Sequence, residues 1–315
     1  MFNTVRLYWH TLRYLKPSQL GWRCWHTLRR RFHLYWTPRT PASPPPFDPQ
    51  CARRLKDFLL QCSEYAVHAH ADIDALRDQA FSFLGRPMIN EQAIPWRDPA
   101  YPLLWRYKLH GFCFARDFAI NAATDTYLGD RDRALNWMRD WIDHTPVDRD
   151  AGWDAWPVSE RLLNWSLLIA VFHLHDDDLR GAYCRDLRWL QKWVEYDLGA
   201  NHLLQNACAL TVAACLSGKS LQLSHALKLL EQQLAEQILP DGGHIERCPM
   251  YHAHTLWDCL LVYAALDEKP AFLEEALTRM SAFLDTIVHP DGELPLFRDS
   301  ALKEAPPTQT LLQLT

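Results

Sequence analysis

The sequence has no apolar run long enough to cross a bilayer, and residues 1–20 lack the apolar core of a secretory signal peptide. We therefore expect no transmembrane segment and a cytoplasmic location; a periplasmic location would require a leader ahead of Met1. The stretch Arg23–Arg31 is basic and aromatic, which fits either an interfacial helix or a basic helix packed on the domain.

The sequence also lacks the spacings of a metal site or a disulfide framework. Its nine cysteines are odd in number, include no CxxC pair and lie in several cases inside apolar helical stretches, which predicts reduced thiols. His244, His252 and His254 are close in sequence, but no HExxH or comparable spacing accompanies them. We predict neither a metal nor another cofactor.

Basic charge is not in excess either. The net charge of −5 argues against general nucleic-acid binding, and a composition of 48% apolar and 23% charged residues indicates a globular chain. Between Trp96 and Arg116, however, the charged and imidazole groups are mostly cationic. This run fits a basic cleft for an anionic ligand, although a solvated surface would have the same composition.

Strict alternation of apolar and polar residues, which would indicate strands, is rare from residue 52 onward, where helical periodicity dominates. The chain is therefore predicted to be all-α. Prolines cluster from Pro38 to Pro49, so residues 1–50 are predicted to form an N-terminal helical arm followed by a stiff proline-rich linker.

Loops recur at an almost constant interval of about fifty residues. They lie around residues 98–102, 146–157, 197–201, 240–249 and 290–295. Two helices fit between successive loops, which predicts antiparallel hairpins in series with every second loop at the same end. The predicted helix pairs are 112–126 with 130–144, 158–174 with 179–197, 202–216 with 221–239, and 251–266 with 271–289. Such hairpins form either an (α/α) toroid around one cleft or a straight solenoid, and a cleft is the better host for a chemical site.

Chemistry-bearing residues concentrate at the start of two predicted helices. In the first cluster, residues 201–206, Asn201 is a good N-cap and His202 follows it. The amide, the imidazolium and the helix N-terminus could together bind a substrate carboxylate. The alternative is that Asn201 only caps the helix and His202 faces solvent.

The second cluster, residues 241–252, places Arg247 and Tyr251 near the start of the next helix, with His254 three residues after Tyr251. A tyrosine acts as a base only where cationic neighbours favour the phenolate, and Arg247 and the histidines could provide them. As an acid it needs no pKa shift. The alternative is a packed tyrosine whose hydroxyl is bonded to the backbone.

Two further clusters are predicted to contact a sugar. The first could bind hydroxyls and stack on a ring, or it could brace a loop through a buried Glu–Arg pair; its members are Trp153, Trp156, Glu160, Arg161 and Asn164. The second, at residues 105–110, interleaves aromatic and cationic groups as a site for a sugar acid would, although ordinary helix packing explains it equally well.

Over roughly residues 80–255 the chain resembles the N-terminal helical domain of the heparinase II/III family of polysaccharide lyases. The resemblance is carried by five segments: Phe83–Gly85, Trp105–His110, Trp156–Arg161, Asn201–Asn206 and Asp241–His252. The Asn-His pair of the fourth segment and the Pro-Met-Tyr-His end of the fifth are the most specific.

The resemblance implies an incomplete (α/α) toroid at residues 51–300 and β-elimination on uronic-acid polysaccharides. It implies that Asn201 and His202 neutralise the uronate carboxylate and that Tyr251, with Arg247 beside it, handles the C5 proton or protonates the leaving oxygen. The residues expected to bind the sugar chain are Trp105, Arg106, His110, Trp156, Glu160, Arg161, Asn164, His244, Glu246 and His252.

The family also carries a C-terminal β-sandwich domain. The resemblance therefore implies that residues 301–315 are the truncated start of that domain and that the rest of the domain is missing as a partner of this chain.

The predicted function is a uronic-acid polysaccharide lyase or its helical substrate-binding half, acting on a bacterial exopolysaccharide or a glycosaminoglycan-like chain. Two alternatives stay open: a non-catalytic protein of glycan binding or exopolysaccharide assembly, and a glycoside hydrolase on the same scaffold. The hydrolase would draw its acid and base from Asp154, Glu160, Asp241 and Glu246.

Overall fold

A computed structural model describes residues 16–31, 38–63, 72–87, 93–125, 127–148 and 150–314. Within these ranges the regular secondary structure is almost entirely helical, as predicted, and the one sheet is a short hairpin of β1 (Ser82–Phe83) and β2 (Arg86–Pro87). The helices before residue 150 are α1 (Pro17–Arg31), α2 (Pro49–Ser63), α3 (Ile73–Arg77), α4 (Leu103–His110), α5 (Ala115–Thr124) and α6 (Asp130–His144). Those after it are α7 (Ala155–Phe172), α8 (Asp177–Trp193), α9 (Ala200–Leu216), α10 (Ser220–Gln237), α11 (Pro249–Ala265), α12 (Ala271–Ile287) and α13 (Thr308–Gln313).

Four helical hairpins follow one another: α5 with α6, α7 with α8, α9 with α10, and α11 with α12. Their bounds match the predicted pairs to within a few residues. The differences arise at the ends, where capping rather than periodicity sets the limit. In α8, for example, Asp176 accepts a hydrogen bond from the Leu179 amide (3.1 Å), so the helix begins ahead of its predicted start.

The first helices of the hairpins form an inner layer and the second helices an outer one. Helices α7, α9 and α11 are buried along most of their length, whereas α6, α8, α10 and α12 keep an exposed face. Helix α9 packs against both α7 and α11, and α2 packs against α5, α7 and α11. The inner helices are apolar on most sides because neighbours surround them. This two-layered series of hairpins is the arrangement expected of an (α/α) toroid.

Most of the 14 tryptophans fill the core between these layers. Trp141 lies at its centre, with ring centroids 5.5 Å from Trp153 and 5.6 Å from Trp165. The guanidinium carbon of Arg161 is 3.8 Å from the Trp141 ring centroid, and the Arg161 Nε donates to Asp186 (2.8 Å). Both charged side chains are fully buried. Arg161 is therefore a brace of the core, with Asp186 as its partner in place of Glu160.

Loops of the same parity lie at one end of the molecule, as predicted, and side chains join neighbouring loops. Arg97 forms an ion pair with a carboxylate of the loop near residue 150. The backbone amide of Asn201 donates to the Glu246 carboxylate (2.9 Å), which links the loops near residues 200 and 245. The Met250 amide donates to Ser300 (3.2 Å), which links the latter loop to the segment that follows α12.

Helix α1 packs on the toroid instead of standing apart as an arm. His26 lies 3.0 Å from the Asp197 carboxylate, and Arg29 donates to the Lys192 carbonyl (2.8 Å). The packed-helix alternative therefore describes residues 17–31; residues 1–15 and 32–37 of the predicted arm lie outside the described residues. No helix in the described part of the chain is long and apolar enough to span a membrane.

The structure corrects the prediction for residues 301–315. In place of the first strand of a β-sandwich, this segment contains helix α13, which packs against α11 and α12. Thr308 and Leu311 are buried there. The segment belongs to the helical domain because its apolar side chains pack against the last hairpin; Thr315 lies outside the described residues.

Asp186→Asn removes the charge that compensates Arg161 in the core. We expect the free energy of unfolding to fall by about 3 kcal/mol, because a buried cation without its partner is costly. Chemical denaturation followed by tryptophan fluorescence measures the change. Asp132→Asn is the control, since Asp132 pairs with Arg131 in solvent and its substitution should leave stability unchanged. Equal effects of the two substitutions would contradict the bracing role.

Candidate active site

The three inner helices α7, α9 and α11 present polar residues at helical spacing towards one another. Residues three or four apart share a helix face, so these positions form one polar stripe on each helix. The stripes consist of Glu160 and Asn164 on α7, Asn201 and Gln205 on α9, and Tyr251, His254 and Asp258 on α11. Because α9 packs between α7 and α11, the three stripes meet in one region, whose outer rim is the loop end of the toroid.

The N-terminus of α9 forms one side of the rim. Gly199 and Ala200 both have a positive φ, and the Asn201 amide that follows donates to the Glu246 carboxylate (2.9 Å). An anion at a helix N-terminus is stabilised by the unpaired amides and the helix dipole. In this structure Glu246 is that anion, so Asn201 and Glu246 lie side by side at the rim, both partly exposed.

At the same rim, the imidazole of His202 pairs with the carboxylate of Glu195. Its Nδ1 lies 3.2 Å from Glu195 Oε1, and the other Glu195 oxygen accepts a hydrogen bond from Asn206 (3.1 Å). Burial lowers the pKa of His202, but the hydrogen bond and charge of Glu195 outweigh it, with Glu246 adding to them, and the net pKa is raised. The imidazole thus retains its positive charge to a higher pH than a free histidine and suits binding of a carboxylate.

Tyr251 faces a carboxylate, not a cation. Its hydroxyl donates to Asp299 (3.3 Å). Burial raises the pKa of Tyr251 to about 12, and the charge of Asp299 acts in the same direction. Arg247, expected to favour the phenolate, instead has an exposed side chain and a left-handed backbone (φ 53°). The expectation of a cation-supported phenolate is therefore wrong for this conformation, and Tyr251 stays a proton donor.

Glu160 and Asp258 form a pair of carboxyl groups below the rim, on either side of Gln205. The Gln205 Nε2 donates to Glu160 (2.7 Å), and Asn164 donates to the other oxygen of Glu160 (3.2 Å). Burial raises the pKa of Glu160, although Gln205 and Lys108 oppose the shift. Burial and the charge of Glu160 raise the pKa of Asp258 well above its usual value. Two adjacent buried carboxyls do not both ionise readily, so each favours the protonated form of the other.

Cationic groups lie on the other side of the carboxyl pair. Lys108 Nζ is 2.6 Å from Glu304, and Arg116 Nε is 2.8 Å from Asp117. His254, which is partly buried beside them, has its pKa lowered to about 3 by burial and then by the charges of Arg116 and Lys108. The imidazole of His254 is consequently neutral at physiological pH, and the formal positive charge here belongs to the lysine and the arginine.

Three residues predicted to bind sugar lie in the core and cannot contact a ligand there. Trp105 is fully buried and its indole donates to the Arg86 carbonyl (3.0 Å). His110 is also fully buried, accepts a hydrogen bond from Trp141 (3.0 Å), and has a pKa lowered to about 3 by burial and by Arg161. Arg161 itself is the core brace described above. Sequence spacing placed these residues beside the site, but their helices turn them inward.

Three other predicted contacts are internal as well. His244 is bonded to Gln237 (3.0 Å), and His252 is bonded to the Met280 carbonyl (3.0 Å). Burial lowers the pKa of each imidazole to about 4, which keeps both neutral. Asn164 is buried too, and its amide holds the carboxylate of Glu160. These residues orient the site without facing solvent.

The remaining predicted contacts keep partial exposure. Arg106 lies 3.5 Å from Asp150 at the edge of the loops, and the half-buried Trp156 ring has its centroid 6.0 Å from that of Tyr107. Glu160, though in the floor, is not fully covered. Arg106, Trp156 and Glu160 thus stay predictions as sugar contacts.

Several site residues were not predicted from the sequence. Gln205, Asn206 and Asp258 lie one or two helical turns after Asn201, His202 and Tyr251, so extending the helical spacing inward would have found them. Two others, Glu195 and Glu304, reach the site from a loop and from the distant C-terminal segment, and no local pattern marks them.

The arrangement is matched by known proteins. The model of the family described as Heparinase II/III N-terminus matches residues 56–312, which is most of the chain. The chain belongs to this family.

Solved structures of heparinases share the fold. The chain is similar to heparinase III, at 17% identity and a TM-score of 0.57, with 71% of this chain and 39% of that chain covered. It is also similar to the heparan sulfate lyase HepC of Pedobacter heparinus, at 16% identity and a TM-score of 0.54, with 78% and 45% covered. At this identity the likeness shows the helical toroid alone, and this heparinase II/III-family chain spans less than half the length of either protein.

The chain is also similar to a protein that is not described as a heparinase. FtsZ-localized protein C of Caulobacter vibrioides is 35% identical over 101 residues, which are 30% of this chain and 18% of that protein. The match thus covers a minor part of each.

Glu195→Gln tests the charge state of His202. Because the carboxylate of Glu195 raises the pKa of His202, its removal should lower that pKa, and the imidazolium should then lose its proton at a lower pH than in the wild type. Titration of the imidazole signals by NMR measures the shift. Glu231→Gln, at an exposed position on α10, is the control and should leave the midpoint in place. An unshifted His202 in Glu195→Gln would argue against the pair.

Proposed function

We propose that this chain is the helical substrate-binding part of a polysaccharide lyase that cleaves uronic-acid chains by β-elimination. The observation that carries the proposal is the rim itself, where a histidine with a raised pKa, an asparagine and a protonated tyrosine lie together. The family match supports a polysaccharide lyase scaffold. The inference that the substrate contains uronic acid rests on the chemistry of the rim residues.

The rim residues fit the demands of β-elimination. Removal of the C5 proton becomes feasible only if the charge of the adjacent carboxylate is offset as the enolate-like state develops. The imidazolium of His202 and the side-chain amide of Asn201 would supply that offset. Tyr251 would relay one proton where the C5 proton and the leaving oxygen on C4 lie on the same face of the sugar: its oxygen would take the C5 proton as its hydroxyl proton passes to the leaving oxygen. The electron pair of the C5–H bond would form the C4–C5 double bond as the C4–O bond breaks, and the phenol would be regenerated.

The hydrolase alternative has less support. It needs one carboxyl as acid and another as base on either side of the scissile bond. Asp241 accepts a hydrogen bond from the Gly243 amide in its own turn (3.0 Å), and Glu246 caps α9. Glu160 is held by Gln205 and Asn164. These carboxylates are thus engaged in holding the structure.

A non-catalytic glycan-binding protein is the second candidate, and one observation favours it. The hydroxyl of Tyr251 donates to Asp299 and the pKa of Tyr251 is raised, so in this conformation its proton is engaged and is not aimed at a leaving oxygen. The two candidates are separated by the product, since only elimination creates an unsaturated uronate with new ultraviolet absorbance. A screen of uronate polysaccharides for that absorbance tests the proposal, and new reducing ends without absorbance would favour the hydrolase.

Tyr251→Phe removes the proton-donating hydroxyl and keeps the ring. We expect turnover to fall by about 100-fold or more with little change in KM, because general acid–base catalysis is lost while binding is retained. Tyr263→Phe is a matched control, since Tyr263 lies on the same helix and its hydroxyl donates to another carboxylate, Glu274 (3.1 Å). Elimination that survives Tyr251→Phe undiminished would remove Tyr251 from the mechanism.

Asn201→Ala removes the side-chain amide beside His202 and keeps the backbone amide. Turnover should drop by about 100-fold, because the developing charge on the carboxylate loses a hydrogen-bond donor. The backbone bond from residue 201 to Glu246 is retained in the variant, so the melting temperature should stay close to that of the wild type. Initial rates of absorbance change measure turnover; a variant as active as the wild type would show that the amide has no part in the reaction.

A further inference from the structure

The segment that follows α12 lies across the polar stripes of the candidate active site. We call residues 298–305 the C-terminal strap. Ser300 accepts a hydrogen bond from the first turn of α11, at the Met250 amide (3.2 Å). On one side of Ser300, Asp299 accepts the hydroxyl of Tyr251 (3.3 Å), and on the other, Glu304 pairs with Lys108 (2.6 Å). The strap thus brings two carboxylates onto groups that a ligand of the cleft would meet.

The pair of Lys108 and Glu304 is sheltered from water. The two side chains are 17% and 19% exposed, so both have lost most of their hydration. Burial acts to lower the pKa of Lys108, whereas the charge and hydrogen bond of Glu304 act to raise it. An ammonium group sheltered in this way needs an anion beside it because an unpaired buried cation is unfavourable.

The groups around the Lys108–Glu304 pair favour an anion at the position of the Glu304 carboxylate. Arg116 places a second cation in this part of the site, with its central carbon 5.8 Å from the Trp257 ring centroid. His254 is neutral and is hydrogen-bonded to the main chain of Glu304, so it adds a polar contact without charge. Lys108 thus offers a carboxylate a direct charge-assisted partner, with the imidazole of His254 beside it and Arg116, itself paired with Asp117, nearby.

The backbone of the strap is held by its contacts and not by its own preference. Arg298 (φ 57°) and Lys303 (φ 61°) both adopt the left-handed conformation, which costs energy for residues other than glycine. These two residues lie near the ends of the strap, beside Asp299 and Glu304. Release of the two carboxylates would let both residues return to ordinary backbone conformations.

We propose that Lys108, supported by Arg116 and His254, forms a carboxylate subsite of the cleft, that Glu304 occupies this subsite in the free protein, and that a uronic-acid unit binds by displacing the strap. The identity of the ligand rests on the proposed function. The same displacement moves Asp299 away from Tyr251, so ligand binding and exposure of the phenol are one event.

The test compares Glu304→Gln with the wild type. Binding of a short oligoglucuronate is measured by titration calorimetry, and hydrogen exchange of the strap amides is measured in the same samples. Removal of the competing carboxylate should tighten oligoglucuronate binding by about tenfold, since a charge-assisted contact no longer has to be broken. The strap amides of the variant should exchange faster, and oligoglucuronate should accelerate them in the wild type.

Three controls separate the carboxylate from other effects. Glu293→Gln changes an exposed carboxylate before the strap and should behave as the wild type. The methyl-esterified oligosaccharide should bind all forms equally weakly. Lys108→Met keeps the length of the side chain without its charge, and it should weaken oligoglucuronate binding by about tenfold, with melting temperatures reported for both variants.

The proposal is overturned if Glu304→Gln changes neither strap exchange nor affinity, if folded Lys108→Met binds as tightly as the wild type, or if no form binds oligoglucuronate. The first two results are distinct from failure of the proposed function, whereas absence of binding in every form would remove both the subsite and the proposed substrate class. Tighter binding by Glu304→Gln without any unsaturated product would remove the lyase and keep the subsite. Elimination with the same KM in the wild type and Lys108→Met would keep the lyase and remove the subsite.

Discussion

The buried guanidinium of Arg161 is the contact on which the site end of the molecule depends. It lies on the face of Trp141, pairs with Asp186 on α8, and donates to the carbonyls of His110 (3.0 Å) and Gly152 (3.1 Å). A single side chain of α7 thus contacts the partner helix α8, the end of α4 and the segment at residue 152. Because a buried cation is tolerated only beside its partners, these groups are held in one geometry, and Glu160, the neighbour of Arg161 in sequence, reaches Gln205 in the site.

A second constraint follows from the inner layer. Helices that are covered on most sides leave no water for polar side chains, so every polar group between them needs a protein partner. Gln205 meets Glu160, and Asn206 meets Glu195 and Ser159 (2.9 Å). The partners that keep the interior satisfied also set the charge of the rim, since the anchored Glu195 is what raises the pKa of His202. The same hydrogen bonds therefore stabilise the inner layer and set the ionisation of the rim.

Much of the candidate site could be predicted from the sequence where its residues are near neighbours. Asn201 with His202, and Tyr251 in its Pro-Met-Tyr-His segment, were identified from short stretches at helix starts, and the structure places them on one rim with Glu246. The predictions failed for Trp105, His110 and Arg161. Aromatic and cationic residues in one segment serve a sugar site and a tryptophan-lined core equally well, and only packing tells them apart.

The sequence by itself determined the helical hairpins, their spacing and the end at which their loops gather, because periodicity and breaker residues act over a few turns of chain. The tertiary structure alone decided the ionisation of the site. Tyr251 faces Asp299, His202 faces Glu195 and Lys108 faces Glu304, and the last of these pairs joins residues far apart in the chain. A pKa depends on burial and on the nearest charges, and both exist only once the layers have packed.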